Sequence, residues 1–416
     1  MPIDLTRFPA YPMHDPAVPV HCVTPELDMC IHRFFDTSPI SPSGKYLAVT
    51  RLPCEDRLPV CEEGAEVVVV DLESGESRLV ARTAGFDTQL GAQVQWGATD
   101  RELFYNDVDV ATWRAHGVRL DISKGGPEKL AGPVYMVSPD GKHVASPCLL
   151  RTGLTQAGYG VLVPAAKTPL NPEVSDADGI YVTDVAAGTT RVITIRQIVD
   201  AIGPGLIEPE MTDGALYGFH VKWNPQGDRL MFVMRYRPDN PSGQGRPMLI
   251  TCRPDGSDIH LALQSRVWRR GGHHPNWCPD GERIIMNLRV EDDGPLRFVT
   301  FGYDGSDLAP LTTAVPGSGH PTLHPDGRHV LADAYPHESV SFDDGTVPIR
   351  WVDVTTGQET RVARIASEPD YYGPVHELRV DPHPAWDRTY RYATFNAYYQ
   401  GTRKVFVADM ERLLGC

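Results

Sequence analysis

One short unit recurs along this chain and limits what it can fold into: an apolar anchor, a tight turn, then an apolar run. It reads Ile40-SPSG-KYLAVT, Val137-SPDG-KHVAS, Trp223-NPQG-DRLMFVM, Trp277-CPDG-ERIIMNL and Leu323-HPDG-RHVLADA. Two degenerate copies, Trp96-GATD-RELFYND and Trp386-DRTY-RYATFNA, complete the set. Pro presets φ in such a turn, and Gly supplies the positive φ a short hairpin needs. Most copies run on into a third apolar segment with a second turn, as in EVVVVDLESGESRLV (66–80) and FVTFGYDGSDLAPLT (298–312). About four short strands per repeat make one blade of a β-propeller. The anchors at 40, 96, 137, 223, 277, 323 and 386 predict an all-β, seven-bladed β-propeller. The last copy supplies about three strands before Met410, so an N-terminal strand from within 17–34 is expected to complete it and close the ring. The long interval from 137 to 223 predicts an insertion at about 151–176 and a loop over 199–218. With no break in composition, a single domain over 1–416 is expected.

Charge narrows the partners. Lys plus Arg number 39 against 54 Asp plus Glu, a net charge of −15. That balance opposes nucleic-acid binding, which rests on neutralised phosphates, and a basic membrane-surface patch. An acidic ligand would need a local cluster of cations. No apolar run reaches membrane-spanning length, and Met1 to Asp15 has no apolar leader core, so a cytoplasmic protein is expected. The eight cysteines form no C-x-x-C pair and are read as reduced and mostly structural.

Three residues upstream of each anchor stand Thr37, Gln93, Val134, His220, His274, His320 and His383. Four consecutive repeats thus carry His at one position, and three continue into Pro. A lone His at a strand start is ordinarily a turn or core residue, and His143, His324 and His329 are read that way. Three repeats lack His in the column, so blade geometry does not demand it. The four imidazoles are therefore expected to meet at the channel mouth, where neutral imidazole serves as metal ligand or base. Asp381 precedes His383 by two residues and Arg379 precedes Asp381 by two, a spacing that puts all three on one face of an extended strand. Arg269 and Arg270 stand just before GGHH.

The segments GGHHPNWCPDG (271–281), SGHPTLHPDG (318–327) and RVDPHPAW (379–386) resemble the metal-binding blades of oligogalacturonate lyase, a seven-bladed propeller polysaccharide lyase. The likeness is most specific over 215–410. HRFFDTSPISPSGKYLAVTRLP (32–53) and QLGAQVQWG (89–97) look more like the wider group of ulvan and rhamnosyl-glucuronate lyases. TolB-like binding propellers share the turn, so the His-Pro column is the sharper signal. The resemblance implies a manganese ion held by His and Gln. Position by position, His320 and His383 match ligands, Asp381 stands where the family has a third ligand His, and Leu378 stands where it has Gln. His274 matches the family's proposed base. A divalent metal on His320, Asp381 and His383 is thus implied, manganese first, with zinc or calcium as alternatives.

The resemblance further implies β-elimination at a uronic acid glycoside in an acidic oligosaccharide. His274 or His220 would be the base, and Arg269, Arg270 or Arg379 would pair with the carboxylate. A second layout resembles ulvan-type lyases, with Gln93 or Gln95 at a funnel entry and His116 as the base. Tyr105, Tyr135, Tyr159 and Tyr236 are candidate acids. Two other functions remain open: a glycoside hydrolase on rhamnosyl-glucuronate sugars, which would need two carboxylates, and a non-catalytic TolB-like binding propeller.

Overall fold

Seven four-stranded antiparallel blades follow one another along the chain in the computed structural model, which describes residues 3–240 and 243–415. Their innermost strands are Cys30–Ile31, Gln95–Trp96, Met136–Val137, Gly214–Trp223, Gly272–Trp277, Thr322–Leu323 and Ala385–Trp386. Blade 7 draws its second and third strands from Tyr392–Tyr399 and Thr402–Asp409. Its outermost strand is Val20–Cys22, with Val20 opposite Ala408 and Cys22 opposite Phe406. The chain then passes directly to the innermost strand of blade 1, so the N-terminal strand joins the two ends of the ring, as the missing fourth strand of the last repeat predicted.

The recurring turns behave as their chemistry requires. Gly44, Gly141, Gly227, Gly281 and Gly327 all have φ between 70 and 84°. Each donates its N–H to the carbonyl three residues earlier, for example Gly281 to Cys278 at 2.9 Å. The Trp anchors staple neighbouring blades. The indole N–H of Trp96 donates to Pro39 O (2.8 Å), that of Trp223 to Met136 O and that of Trp277 to Lys222 O (both 3.2 Å). Between blades the core is aliphatic and aromatic, as in the cluster of Leu230, Phe232, Met248 and Ile250.

Two departures from regular repetition shape the channel. Between the second and third strands of blade 3 the chain runs from Pro147 to Asp178 and carries a helix, Leu149–Thr155. This is the expected insertion, a few residues longer at each end. The innermost strand of blade 1 is interrupted: Ile31 pairs with Thr50, Ile40 pairs with Leu47, and residues 32–39 bulge inward between them. The seven described cysteines are free, and Cys416 lies outside the described residues.

Candidate active site

The inward bulge supplies the floor of the site. Phe34 places its ring 4.7 Å from His383, 5.2 Å from His220, 5.6 Å from His320 and 6.3 Å from His274 (ring centroids). The imidazoles also meet one another, with His274 stacked on His320 at 3.8 Å and His320 edge-on to His383 at 4.5 Å. Four blades thus deliver the His column to one space. The local backbone is unusual at these positions. Strand register shifts beside His220 and beside His274, and a bulge of this kind re-aims a side chain. His274 and His383 adopt φ of 58° and 50°, a region where His is better tolerated than most residues.

Hydrogen bonds set the tautomers. His274 Nδ1 lies 2.8 Å from Gly319 O, and a carbonyl only accepts, so Nδ1 carries the proton and Nε2 keeps a lone pair. The Tyr335 hydroxyl lies 3.3 Å from that Nε2. His320 Nδ1 lies 2.9 Å from Asp333, which also accepts from the backbone of His320 and His383. His320 Nε2 and both ring nitrogens of His383 are buried without a hydrogen-bond partner among the described residues. His220 Nδ1 meets Tyr135 Oη at 2.7 Å, and its Nε2 is likewise unpartnered.

Burial dominates the electrostatics. It holds the His220, His274 and His320 imidazoles well below their ordinary range, helped at His220 by Lys222, at His274 by His320 and His273, and at His320 by His383. All three are neutral at neutral pH. Burial also pushes the Asp333 carboxyl up to about 7 and the Tyr335 hydroxyl well above its usual value. At Asp381 burial works upward too, but the Arg379 guanidinium and His383 overcome it and hold the carboxylate well below its usual range.

His320, Asp381 and His383 bring donor atoms within 4.8 Å of one another. Buried nitrogens without partners are costly, about 1–3 kcal/mol each, and a cation between them would satisfy them. Two imidazoles and a carboxylate are a chemically suitable set for a divalent transition metal. Asp333 supports it as the carboxylate behind a ligand His, the arrangement that orients such rings.

Above this triad opens a cavity of about 770 Å³, lined by Tyr159, His220, Arg235, Arg269, His274 and Tyr335 among others. Its lining includes five cationic side chains (Lys222, Arg235, Arg237, Arg246 and Arg269) and, among the described residues, no Asp or Glu. Lys222 is neutralised by Asp36 (3.0 Å) and Arg246 by Glu208 (2.8 Å). Arg235 has no carboxylate partner among the described residues. It stacks on Phe219 at 3.5 Å and donates to Gln156 Oε1 at 2.8 Å. Burial brings it down to about 10, still charged at neutral pH.

The structure places the sequence-predicted residues unequally. His220, His274 and Arg269 line the cavity, and His320, Asp381 and His383 lie behind its wall, with His320 stacked on His274 at 3.8 Å. Arg379 is committed elsewhere: its guanidinium grips both oxygens of Asp381 and donates to Tyr159 Oη, so it is not free for a ligand carboxylate. Arg270 turns to the surface and pairs with Asp292 at 2.8 Å. Gln93 is buried, accepts from Arg33 at 2.8 Å and does not line the cavity. His116 sits in the third strand of blade 2 opposite Asp107, away from the innermost strands. Sequence reading missed Arg235, Asp333 and Tyr335. Asp333 and Tyr335 follow the HPDG strand of blade 6, ten and twelve residues past the anchor Leu323, outside the column that was read.

No family model matches the chain, and no curated protein sequence matches it. Solved structures do. An oligogalacturonate lyase in complex with manganese superposes with a TM-score of 0.63 at 14% identity, covering 97% of this chain and 96% of that one. This chain has the fold of oligogalacturonate lyase. A second such enzyme, from Vibrio parahaemolyticus, gives 0.65 at 13% identity over 97% and 96% of the two chains. The tricorn protease gives 0.52 at 13% identity, covering 93% of this chain but 34% of its own. The lyase likeness is one of fold.

Proposed function

We propose that this protein is a lyase that cleaves a uronic acid glycosidic bond in an acidic oligosaccharide by β-elimination. The carrying observation is the cavity wall: cations and imidazoles without a carboxylate among the described residues, in a protein of charge −15. Such a wall suits an anionic ligand, and Arg235 offers the two-pronged fork that a carboxylate accepts. Neutral His274 takes the C5 proton on Nε2, and the electron pair left behind forms the C4–C5 double bond as the C4–O bond breaks. Tyr335, protonated because burial favours the neutral phenol, gives its proton to the departing oxygen. The imidazolium then returns a proton to the tyrosinate, restoring both groups. His220 is the alternative base, since it lines the same cavity and its Nε2 has no partner among the described residues. A divalent cation on His320, Asp381 and His383 would supply positive charge to stabilise the enolate that develops beside the uronate carboxylate.

A hydrolase fits less well, because glycoside hydrolysis uses a pair of carboxylates flanking the bond and the described residues of the cavity wall include none. The test is a panel of uronate polymers and oligomers. Elimination creates an unsaturated uronate that absorbs in the near ultraviolet. Reducing ends without that absorbance would indicate hydrolysis, and neither signal on any member would leave a binding propeller. Elemental analysis of purified protein, with chelation, tests the cation. Unchanged metal content and activity after chelation would remove the His320, Asp381 and His383 assignment.

A further inference from the structure

We infer that the wall contributed by blade 4 holds a second anion subsite, built on Arg237 and Arg269. It would take a carboxylate or sulfate ester on the sugar next to the reacting uronate. This rests on the reading just given. The starting point is an imbalance of charge. Of the five cations in the cavity lining, two are neutralised by carboxylates from outside it and one, Arg235, is assigned to the reacting sugar. Arg237 makes no side-chain hydrogen bond or ion pair with any described residue. Arg269 donates to the Gln244 side-chain oxygen at 3.2 Å and has no carboxylate partner among the described residues.

Placement follows from strand geometry. Val233, Arg235 and Arg237 alternate along the strand Leu230–Pro238, so they share one face, and all three line the cavity. The backbone positions of Arg235 and Arg237 are roughly 7 Å apart, comparable to the advance of one sugar along a glycan. Arg269 enters the same cavity from the end of the short helix Ser265–Trp268, on the connection from blade 4 to blade 5. Pro238, Pro247 and Trp268 also line this region. Arg237 is half-buried and Arg269 exposed, so a ligand in the cavity can reach both guanidinium groups. A ligand with anions on adjacent sugars would engage Arg235 with one and Arg237 and Arg269 with the other.

Calorimetric titration with three probes tests this: a methyl uronide with one carboxylate, a diuronide with two, and a sulfated rhamnosyl-uronide disaccharide. Wild-type protein should bind at least one dianionic probe about tenfold more tightly than the methyl uronide. Which dianion wins identifies carboxylate or sulfate as the second anion. In R237Q/R269Q the ratio of the two affinities should fall to near one, while R235Q should weaken every probe and leave the ratio in place. Arg237→Lys, which keeps the charge, should retain most of the preference, and circular dichroism confirms folding of each variant. Equal affinities in wild type, or a ratio that survives R237Q/R269Q, would overturn the subsite while leaving the uronate reading standing. If no probe binds wild type, the uronate reading fails and the subsite with it.

Discussion

The two mouths of the channel are made from the same seven innermost strands and have little else in common. One mouth is ringed by the Pro–Gly turns and by Trp96, Trp223, Trp277 and Trp386, around a cavity of about 340 Å³. The other holds the cavity of about 770 Å³ with its imidazoles and guanidinium groups. At the turn end the residues answer to backbone geometry, with positive φ at Gly and the indole N–H groups of Trp96, Trp223 and Trp277 tied to the preceding blade. At the other end they answer to chemistry, with bulges and left-handed His backbones that weaken strand regularity. Phe34 and Phe35 stand between the two ends, and Lys222, lying over the Phe35 ring at 4.3 Å, is held there by Asp36. Fold and function are thus divided along the length of each strand, not between blades.

That division can be broken by substitution. The largest expected effect is His274→Asn, chosen because Asn tolerates the positive φ. It should lower kcat/KM by about 10²–10⁴-fold with the folding transition nearly unchanged. Near wild-type turnover would move the base to His220. Arg235→Gln should cost roughly 10- to 100-fold in kcat/KM, read from initial rates of near-ultraviolet absorbance. Asp333→Asn should weaken metal retention about 10- to 100-fold by removing the carboxylate behind His320. Manganese titration measures it, and unchanged affinity would reduce Asp333 to a packing role.

A pH profile sharpens the assignment without mutation. The base must be neutral, and burial with His320 and His273 nearby disfavours the His274 imidazolium. The active fraction should therefore stay full as pH falls through 6.5, the model-peptide value, and decline only below it. An acid limb of kcat/KM centred at or above 6.5 that persists in Asp333→Asn, which removes the carboxyl pushed up to about 7, would contradict His274 as base. The smallest effect on activity belongs to the turn end. Gly327→Ala forces a side chain into φ of 70° where nothing lies within 4 Å of the new Cβ, so backbone strain alone costs about 1–2 kcal/mol of stability. Rate per folded molecule should be unchanged, and a loss of turnover would show that the two mouths are coupled.

Sequence by itself determined the blades. The turn unit acts locally, through Pro and Gly within four residues, and its count gave seven copies and an incomplete last one that needed the N-terminal strand. The His column was legible for the same reason, since equal offsets from equal anchors place side chains at equal heights on the innermost strands. Only the tertiary structure decided what those side chains meet. Arg379 and Arg270 had the charge to bind a carboxylate, yet Asp381 and Asp292 already hold them. Arg235, Asp333 and Tyr335 lie on or just beyond second strands, outside any column, and their places at the cavity, behind His320 and beside His274 are set by tertiary contacts. Repetition is written in short-range backbone chemistry, whereas partnership between charges depends on distances that close only when the ring does.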